Sequence, residues 1–346
     1  MKIRLFIGKL LIFSIPFVLF ILLYFYLDPF KVVRHYDSYY TSGQPNYIAL
    51  NKDYVSTENW VNHHDQYQYD SYIFGNSRSM FYQIGTWKNY IGVGSDKCYH
   101  FDASGESLYG IAKKFVFLST QHMPIRNALF VIDAGALNKA DNSAGHIFVK
   151  DYRLSGENRI AFQVDFLKDF FDFDFLRALL DFKVSGRIKD YMTKDFLLDD
   201  RPFDYDYVTN EVQLSYYENM IRKDTAAYYS SRQQLFYPRD TSVQKFYAPV
   251  IKDPQMALLR TIKKIMEADS THYKIVINPL YDQKKLAPAD LRILHELFGE
   301  NNVFDFSGIN AITRSRYNYY EASHYRPFIS DSIMKIIYTG ARSSAH

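Results

Sequence analysis

Two short stretches near opposite ends of the chain carry residue types that could together perform nucleophilic catalysis. In the first, an apolar run ends at Gly75, and Ser77 stands two residues later. In the second, two residues separate Glu321 from His324. A serine hydroxyl becomes an effective nucleophile when an imidazole accepts its proton and a carboxylate orients that imidazole. The residues therefore predict a triad with Ser77 as nucleophile, His324 as base and Glu321 as orienting group.

The same residues also have ordinary structural interpretations. A serine that follows a strand often caps the next helix, because its hydroxyl accepts a hydrogen bond from a backbone N–H. His324 could bond near a helix start, and Glu321 could be a solvated surface residue. The catalytic interpretation depends on the fold bringing the two stretches together.

Acyl transfer also needs donors for the oxyanion that forms on the attacked carbonyl. The backbone N–H groups of Ser77 and Gly105 are the candidates, and glycine at position 105 permits close approach of the backbone. A carboxylate, Asp133, follows the third predicted strand and would repel an oxyanion. Asn278, after a later strand, is the remaining candidate for a side-chain donor.

The main domain, residues 69–346, alternates between strand and helix patterns. Apolar runs predict strands at 72–74, 97–102, 127–133, 273–279 and 302–306. Helical periodicity predicts helices at 108–120, 254–268, 289–298 and 327–337, with residues 321–324 in a loop. This alternation predicts an α/β fold, a three-layer α/β/α arrangement around a central parallel sheet of about five strands. Ser77, Gly105 and Asn278 all fall at carboxyl ends of strands, where such sheets hold their sites.

Residues 141–250 interrupt this alternation. A helix-compatible stretch from Val164 to Asp181 is followed by a polar, tyrosine-rich segment. We expect a partly helical insertion, which forms either a lid or substrate surface or a purely structural excursion.

The N-terminal residues, 1–30, predict a membrane anchor. An apolar run of 27 − 10 + 1 = 18 residues extends from Leu10 to Leu27, after three basic residues. A cleavable signal peptide is the alternative, but no small-x-small cleavage site follows the run. The prediction is an uncleaved single-pass transmembrane helix with the main domain extracytoplasmic. Residues 31–68 show no sustained periodicity and are expected to form a juxtamembrane linker and an irregular lead-in.

Composition excludes several classes of function. A formal net charge of +3 and no basic stripe argue against nucleic-acid binding. The single cysteine, Cys98, permits no intramolecular disulfide and no cysteine-based metal motif. His63 and His64 could indicate a metal site, but no third ligand is evident, and a solvated loop is the simpler interpretation. No cofactor is implied. The 31 Tyr and 28 Phe residues either stack on sugars or pack the core.

The Gly75–Ser79 and Glu321–His324 stretches resemble the SGNH (GDSL-type) hydrolase superfamily. The resemblance is to its membrane-anchored branch, which includes alginate-type O-acetyltransferases and the D-alanyl transfer protein of lipoteichoic acid synthesis. It covers residues 69–137 and 273–338. The resemblance implies that Ser77 is the nucleophile and that Gly105 contributes to the oxyanion hole. It also places Arg78 at the site, as the arginine of a Gly-x-Ser-Arg block. Glu321 replaces the family's aspartate, and the family's Gly-x-Asn-Asp block is absent.

Three functions are consistent with these observations. The first is a membrane-anchored serine esterase or O-acyltransferase acting on a cell-envelope or secreted polysaccharide. For a transferase, the resemblance implies a multispanning acyltransferase partner. The second is a catalytically inactive glycan-binding or assembly protein on the same fold, which the missing asparagine block would favour. The third, a metal-dependent hydrolase using His63 and His64, predicts sensitivity to chelators.

Overall fold

A five-stranded parallel sheet forms the centre of the main domain in the computed structural model, which describes residues 2–340. Its strands are β1 Ser71–Gly75, β2 Cys98–His100, β3 Asn127–Ile132, β4 His272–Ile277 and β5 Val303–Asp305. The spatial order is β5-β4-β3-β1-β2, and every neighbouring pair is parallel. The sequence-based prediction of an α/β fold with five parallel strands is confirmed.

The strand register aligns the carboxyl ends of the three central strands. Gly75 at the end of β1 lies opposite Val131 of β3, and Ile132 lies opposite Ile277 at the end of β4. Side chains on both faces of the sheet are buried in two separate hydrophobic clusters. Burial on both faces explains why β1 and β3 are continuous apolar runs rather than alternating ones.

Four helices of the main domain agree closely with the predicted bounds, and a fifth, Ile84–Ile91, was not predicted. Their bounds are Ile84–Ile91, Leu108–Thr120, Asp253–Ala268, Pro288–Phe298 and Pro327–Thr339. The Leu108–Thr120 helix begins where the sequence predicted, because Ser107 Oγ accepts a hydrogen bond from Gly110 N–H at 3.1 Å. Three shorter helices are Ala134–Asn138, Tyr152–Ser155 and Ala311–Arg314.

The first helix, α1, extends from Lys2 to Leu27. Its apolar segment, Phe6–Leu27, has 22 residues and is long and apolar enough to cross a bilayer. The helix is therefore compatible with the predicted membrane anchor.

Residues 31–68 are more regular than the sequence indicated. A helix, Lys52–Tyr67, occupies most of the segment's second half, so the expectation of an irregular lead-in was wrong there. Its buried face is largely polar, and Lys52, Asp53 and Asn59 are among the buried residues. These groups are satisfied by partners elsewhere in the chain, such as Lys114, 3.0 Å from Asp53. Because the buried face is polar, the sequence of this helix shows no hydrophobic periodicity.

Residues 141–250 are partly helical. The single helical stretch expected from Val164 to Asp181 is two helices, because Asp172 caps a second one after a break. The longer helices are Arg159–Phe170, Phe173–Ser185, Ser215–Lys223 and Thr225–Ser231. A small antiparallel sheet joins this region to the preceding linker, with strands Gln44–Pro45, Pro202–Asp206 and Glu211–Gln213. Two further pairs are Lys245–Phe246 with Lys284–Lys285, and Tyr319–Glu321 with His324–Tyr325.

Candidate functional site

Ser77 lies in a tight turn that begins where β1 ends. A Cβ atom on Gly75 would lie 2.4 Å from the backbone oxygen of Val131, so a side chain at this position would collide with β3. The turn is closed by Ser79, whose backbone N–H and hydroxyl donate to Asn76 O at 2.8 and 2.7 Å. The strand and turn together present Ser77 at the carboxyl edge of the sheet.

His324 and Glu321 lie in a short β-hairpin rather than in the loop that the sequence predicted. Strands Tyr319–Glu321 and His324–Tyr325 are antiparallel, and Glu321 is paired directly with His324. Side chains of directly opposed residues lie on the same face of a hairpin and interact. The two-residue spacing therefore makes these side chains cross-strand neighbours.

The three predicted triad residues are in direct contact. Ser77 Oγ lies 2.8 Å from His324 Nε2, and His324 Nδ1 is hydrogen-bonded to Glu321 Oε1. The other carboxylate oxygen of Glu321 accepts a hydrogen bond from Ser323 N–H at 2.6 Å. Burial alone would raise the pKa of Glu321, but the hydrogen bond and charge of His324 and the Ser323 N–H hold it below the ordinary value. An ionised Glu321 favours the tautomer with its proton on Nδ1, which leaves Nε2 free to accept the Ser77 proton.

Arg78 ties the serine turn to the His–Glu hairpin. Its Nε donates to Ser323 O at 2.8 Å, and its Nη1 donates to Asp133 Oδ2 at 2.9 Å. Tyr325, the neighbour of His324, adds a second contact, with its OH 3.3 Å from Arg78 O. Arg78 thus lies beside the triad and holds its two halves in register.

Asp133 has a structural role that was not predicted from the sequence. Its Oδ1 accepts Ala136 N–H at 2.9 Å and so caps the Ala134–Asn138 helix. Its Oδ2 accepts hydrogen bonds from Arg78 and, at 2.8 Å, from Asn76 Nδ2. The carboxylate is thus bound to the serine turn. The sequence signal for the cap was an acidic residue between a strand and an alanine-rich segment.

The other two predicted oxyanion residues, Asn278 and Gly105, do not line the cavity that contains Ser77. Asn278 is fully buried, and its Oδ1 accepts a hydrogen bond from Tyr325 OH at 2.7 Å. Gly105 is exposed at a positive φ of 56°, and a Cβ there would lie 3.0 Å from the ring of Phe148. Of the described residues, neither lines the cavity that contains Ser77, whereas the neighbouring Ser104 does.

A cavity of about 320 Å³ opens at the triad, with Ser77, Glu321 and His324 in its lining. Its wall combines residues from the linker, the insertion and the hairpin. Aromatic and cationic side chains supply much of it, namely Tyr40, Phe203, Tyr217, Tyr320, Lys52 and Arg201. None of these six residues is predicted by the sequence, because the strands that bring their segments together are short, and one has only two residues.

Lys52 forms a charged group in the cavity wall. Its Nζ donates to Asn210 O and Oδ1 at 3.1 Å, and it lies 3.7 Å from Asp102 Oδ1. Burial lowers the pKa of Lys52, although the charge of Asp102 opposes that shift. The pair places an amine and a carboxyl group side by side in the lining of the cavity.

The adjacent histidines, His63 and His64, lie in the Lys52–Tyr67 helix rather than in a loop. His63 Nδ1 is 2.8 Å from Asn59 O, and the ring of His64 stacks on Trp60 at 4.2 Å. Across residues 2–340, no group of three or more His, Cys, Asp or Glu side chains is arranged to hold a metal ion.

Fold and site together define an α/β protein with a Ser–His–Glu arrangement at the carboxyl edge of a parallel sheet. No protein-family model, curated protein or solved structure matches this chain. The geometry of the site is therefore the basis for assigning a function.

Proposed function

We propose that the chain is a membrane-anchored serine esterase or O-acyltransferase that acts on a cell-envelope or secreted polysaccharide. The observation that carries this proposal is the contact of Ser77 Oγ with His324 Nε2 at 2.8 Å, with Glu321 bonded to Nδ1. The main domain would be extracytoplasmic, in the periplasm or on the cell surface. We also propose that its sheet and helices form the three-layer arrangement of SGNH-type hydrolases.

The chemistry would proceed through an acyl-enzyme. Ser77 Oγ attacks the ester carbonyl while His324 Nε2 takes the hydroxyl proton, and Glu321 stabilises the resulting imidazolium. The backbone N–H groups of Ser77 and of Ser104, which both line the cavity, are the candidates for oxyanion donors. Collapse of the tetrahedral intermediate expels the alcohol, which receives the proton from Nε2. Water or a sugar hydroxyl then attacks the acyl-enzyme by the reverse sequence.

The aromatic side chains in the wall of the cavity favour a glycan as the acceptor. Tyr40, Phe203 and Tyr217 present aromatic surface beside the nucleophile, and aromatic rings are suited to packing against sugar rings. In the transferase version of the proposal, the acyl group is delivered by a multispanning membrane acyltransferase.

Labelling of the active-site serine tests the proposal on the full-length chain in detergent. A fluorophosphonate probe should label wild type, and acetyl-ester hydrolysis should be measurable. Ser77→Ala and His324→Ala should both lose these signals. Ser323→Ala is the matched control, because its side chain is exposed in the adjacent turn and it should behave like wild type. Labelling that persists in Ser77→Ala would refute the assignment of the nucleophile.

A non-catalytic glycan-binding or assembly protein is the second candidate. The observation in its favour is that Asn278 is buried against Tyr325, while Asp133 stands where the resembling family has an asparagine. In that case, folded wild type would bind polysaccharide without being labelled by the probe.

A further inference from the structure

Among the described residues, the lysine and the arginine that line the cavity of Ser77 are each matched by a carboxylate. Arg201 donates from Nε and Nη2 to the two carboxylate oxygens of Asp199, at 2.7 and 2.5 Å, and both residues line the cavity. Lys52 lies 3.7 Å from Asp102, and these two residues line it as well. Neither pair therefore leaves an uncompensated positive charge that would attract an anionic ligand.

The carboxyl group of Asp102 is nearly buried and has an unmet acceptor. Its side chain is 3% exposed, and no described residue donates a hydrogen bond to Oδ1. The distance of 3.7 Å from Oδ1 to Lys52 Nζ is that of an ion pair and is too long for a hydrogen bond. Buried polar atoms in native proteins normally have a hydrogen-bond partner. An unpartnered carboxyl group in the lining of a cavity therefore indicates that a molecule in the cavity supplies the donor.

Lys52 is held in a fixed position beside this carboxyl group. Its Nζ donates to Asn210 O and to Asn210 Oδ1, both at 3.1 Å. Asn210 is itself fixed, because its Nδ2 donates to Ser56 Oγ at 2.9 Å and to His100 O at 2.6 Å. An ammonium group has three N–H donors, so at least one donor of Lys52 remains for Asp102 or for a ligand in the cavity.

A hydroxyl group fits a neighbouring amine and carboxyl group better than a charged group does. It can donate to the carboxylate of Asp102 and accept from the ammonium group of Lys52. A cationic ligand would be repelled by Lys52 and an anionic ligand by Asp102, since like charges repel strongly in a partly buried site. Uncharged sugars present hydroxyl groups on adjacent carbons. The rings of Tyr40 and Phe203, 5.1 Å apart in the same lining, offer apolar surface for the C–H groups of such a sugar.

We propose that Lys52 and Asp102 form a subsite for an uncharged sugar unit, whose hydroxyl groups are hydrogen-bonded to the two side chains. The inference rests on the proposed function, because it takes the cavity of Ser77 as the glycan site. It specifies the substrate class: chains of neutral hexoses are favoured over chains of uronic acids or sugar phosphates. The paired charges set this preference, whereas the aromatic wall alone would accept both classes.

Binding of matched oligosaccharides tests the proposal without requiring turnover. The probes are tetrasaccharides of glucose, mannose and galactose, each beside the tetrasaccharide of its own uronic acid with the same linkages. Titration calorimetry uses the full-length chain in a detergent that has no sugar headgroup. We expect at least one neutral tetrasaccharide to bind about tenfold or more tightly than its uronic-acid counterpart. Equal or tighter binding of the uronic acid in every pair, or no binding of any probe, would overturn the proposal.

Asp102→Asn removes the carboxylate charge at nearly constant size. Binding of the neutral probe should weaken about 10- to 100-fold, because a hydrogen bond to a charged group is lost. Asp181→Asn is the matched control and should bind like wild type, because Asp181 also pairs with a lysine, Lys189 at 2.7 Å, but lies outside the described lining of the cavity. Unchanged binding in Asp102→Asn, with an unchanged melting temperature, contradicts the subsite. If the substitution unfolds the chain, the comparison of probe pairs on wild type decides the proposal.

Fluorophosphonate labelling of the same preparation separates this inference from the proposed function. A chain that is labelled at Ser77 but binds no neutral probe refutes the subsite and leaves the esterase assignment intact. A chain that binds a neutral probe more tightly than its uronic acid, without being labelled, retains the subsite and overturns catalysis.

Discussion

Replacing Glu321 by glutamine removes the negative charge beside the imidazole of His324 while nearly conserving the side chain's size. In the proposed mechanism, His324 becomes positively charged when it takes the proton of Ser77. Two unit charges about 4 Å apart attract each other by about 4 kcal/mol at an effective dielectric constant of about 20. The Glu321 and His324 side chains are each 29% exposed, so water screens part of this attraction.

We therefore expect Glu321→Gln to lose about 2–3 kcal/mol of transition-state stabilisation, a fall of about 30- to 160-fold in kcat/KM. The assay is hydrolysis of a chromogenic acetyl ester by the full-length protein.

Glu218→Gln is the matched control for this substitution. Glu218 accepts hydrogen bonds from Arg326 Nε at 2.8 Å and from Arg326 Nη2 at 2.7 Å. Arg326 is two residues from His324 in the sequence, but this ion pair is not part of the triad. Its loss should leave kcat/KM near the wild-type value. A wild-type kcat/KM in Glu321→Gln, with an unchanged melting temperature, would refute the role of Glu321.

Two further predictions concern stability. Gly75→Ala should destabilise the chain by about 1–3 kcal/mol in denaturant unfolding, because its Cβ would meet the Val131 oxygen; Gly85→Ala, whose Cβ would meet nothing within 4 Å, should not destabilise it. Burial raises the pKa of Glu218, but its hydrogen bonds and ion pair with Arg326 outweigh burial and leave the pKa below its ordinary value of 4.5. The pair's contribution is therefore complete above pH 4.5 and is lost as the pH falls through the lower, folded-state pKa. Glu218→Gln should show a shallower loss of unfolding free energy over that acidic range, and an unchanged slope would contradict the assignment.

The central sheet was predictable because its strands are buried on both faces. All five residues of β1 are buried, so an uninterrupted apolar run marks the strand in the sequence. The rule that parallel sheets carry their sites at carboxyl ends then located Ser77 without structural information. The spacing of Glu321 and His324 also predicted that their side chains interact, although the two residues lie on paired strands of a hairpin rather than in a loop.

The surroundings of the triad were not predictable, for two physical reasons. The Lys52–Tyr67 helix buries polar groups whose partners are distant in sequence, so it has no apolar period. The role of Asp133 depends on Arg78 and Asn76, which are 55 and 57 residues away and meet it only in the folded chain. Such ion pairs leave no local pattern.

The wide separation of the triad residues along the chain has a consequence for biosynthesis. Ser77 and His324 are 247 positions apart, and the His–Glu hairpin directly precedes the helix Pro327–Thr339. At a synthesis rate of about 5–20 residues per second, about 12–50 s pass between the synthesis of Ser77 and that of His324. A growing chain would thus carry Ser77 without its imidazole partner until the hairpin has been made, so a premature stop before the hairpin would yield a protein without this pair.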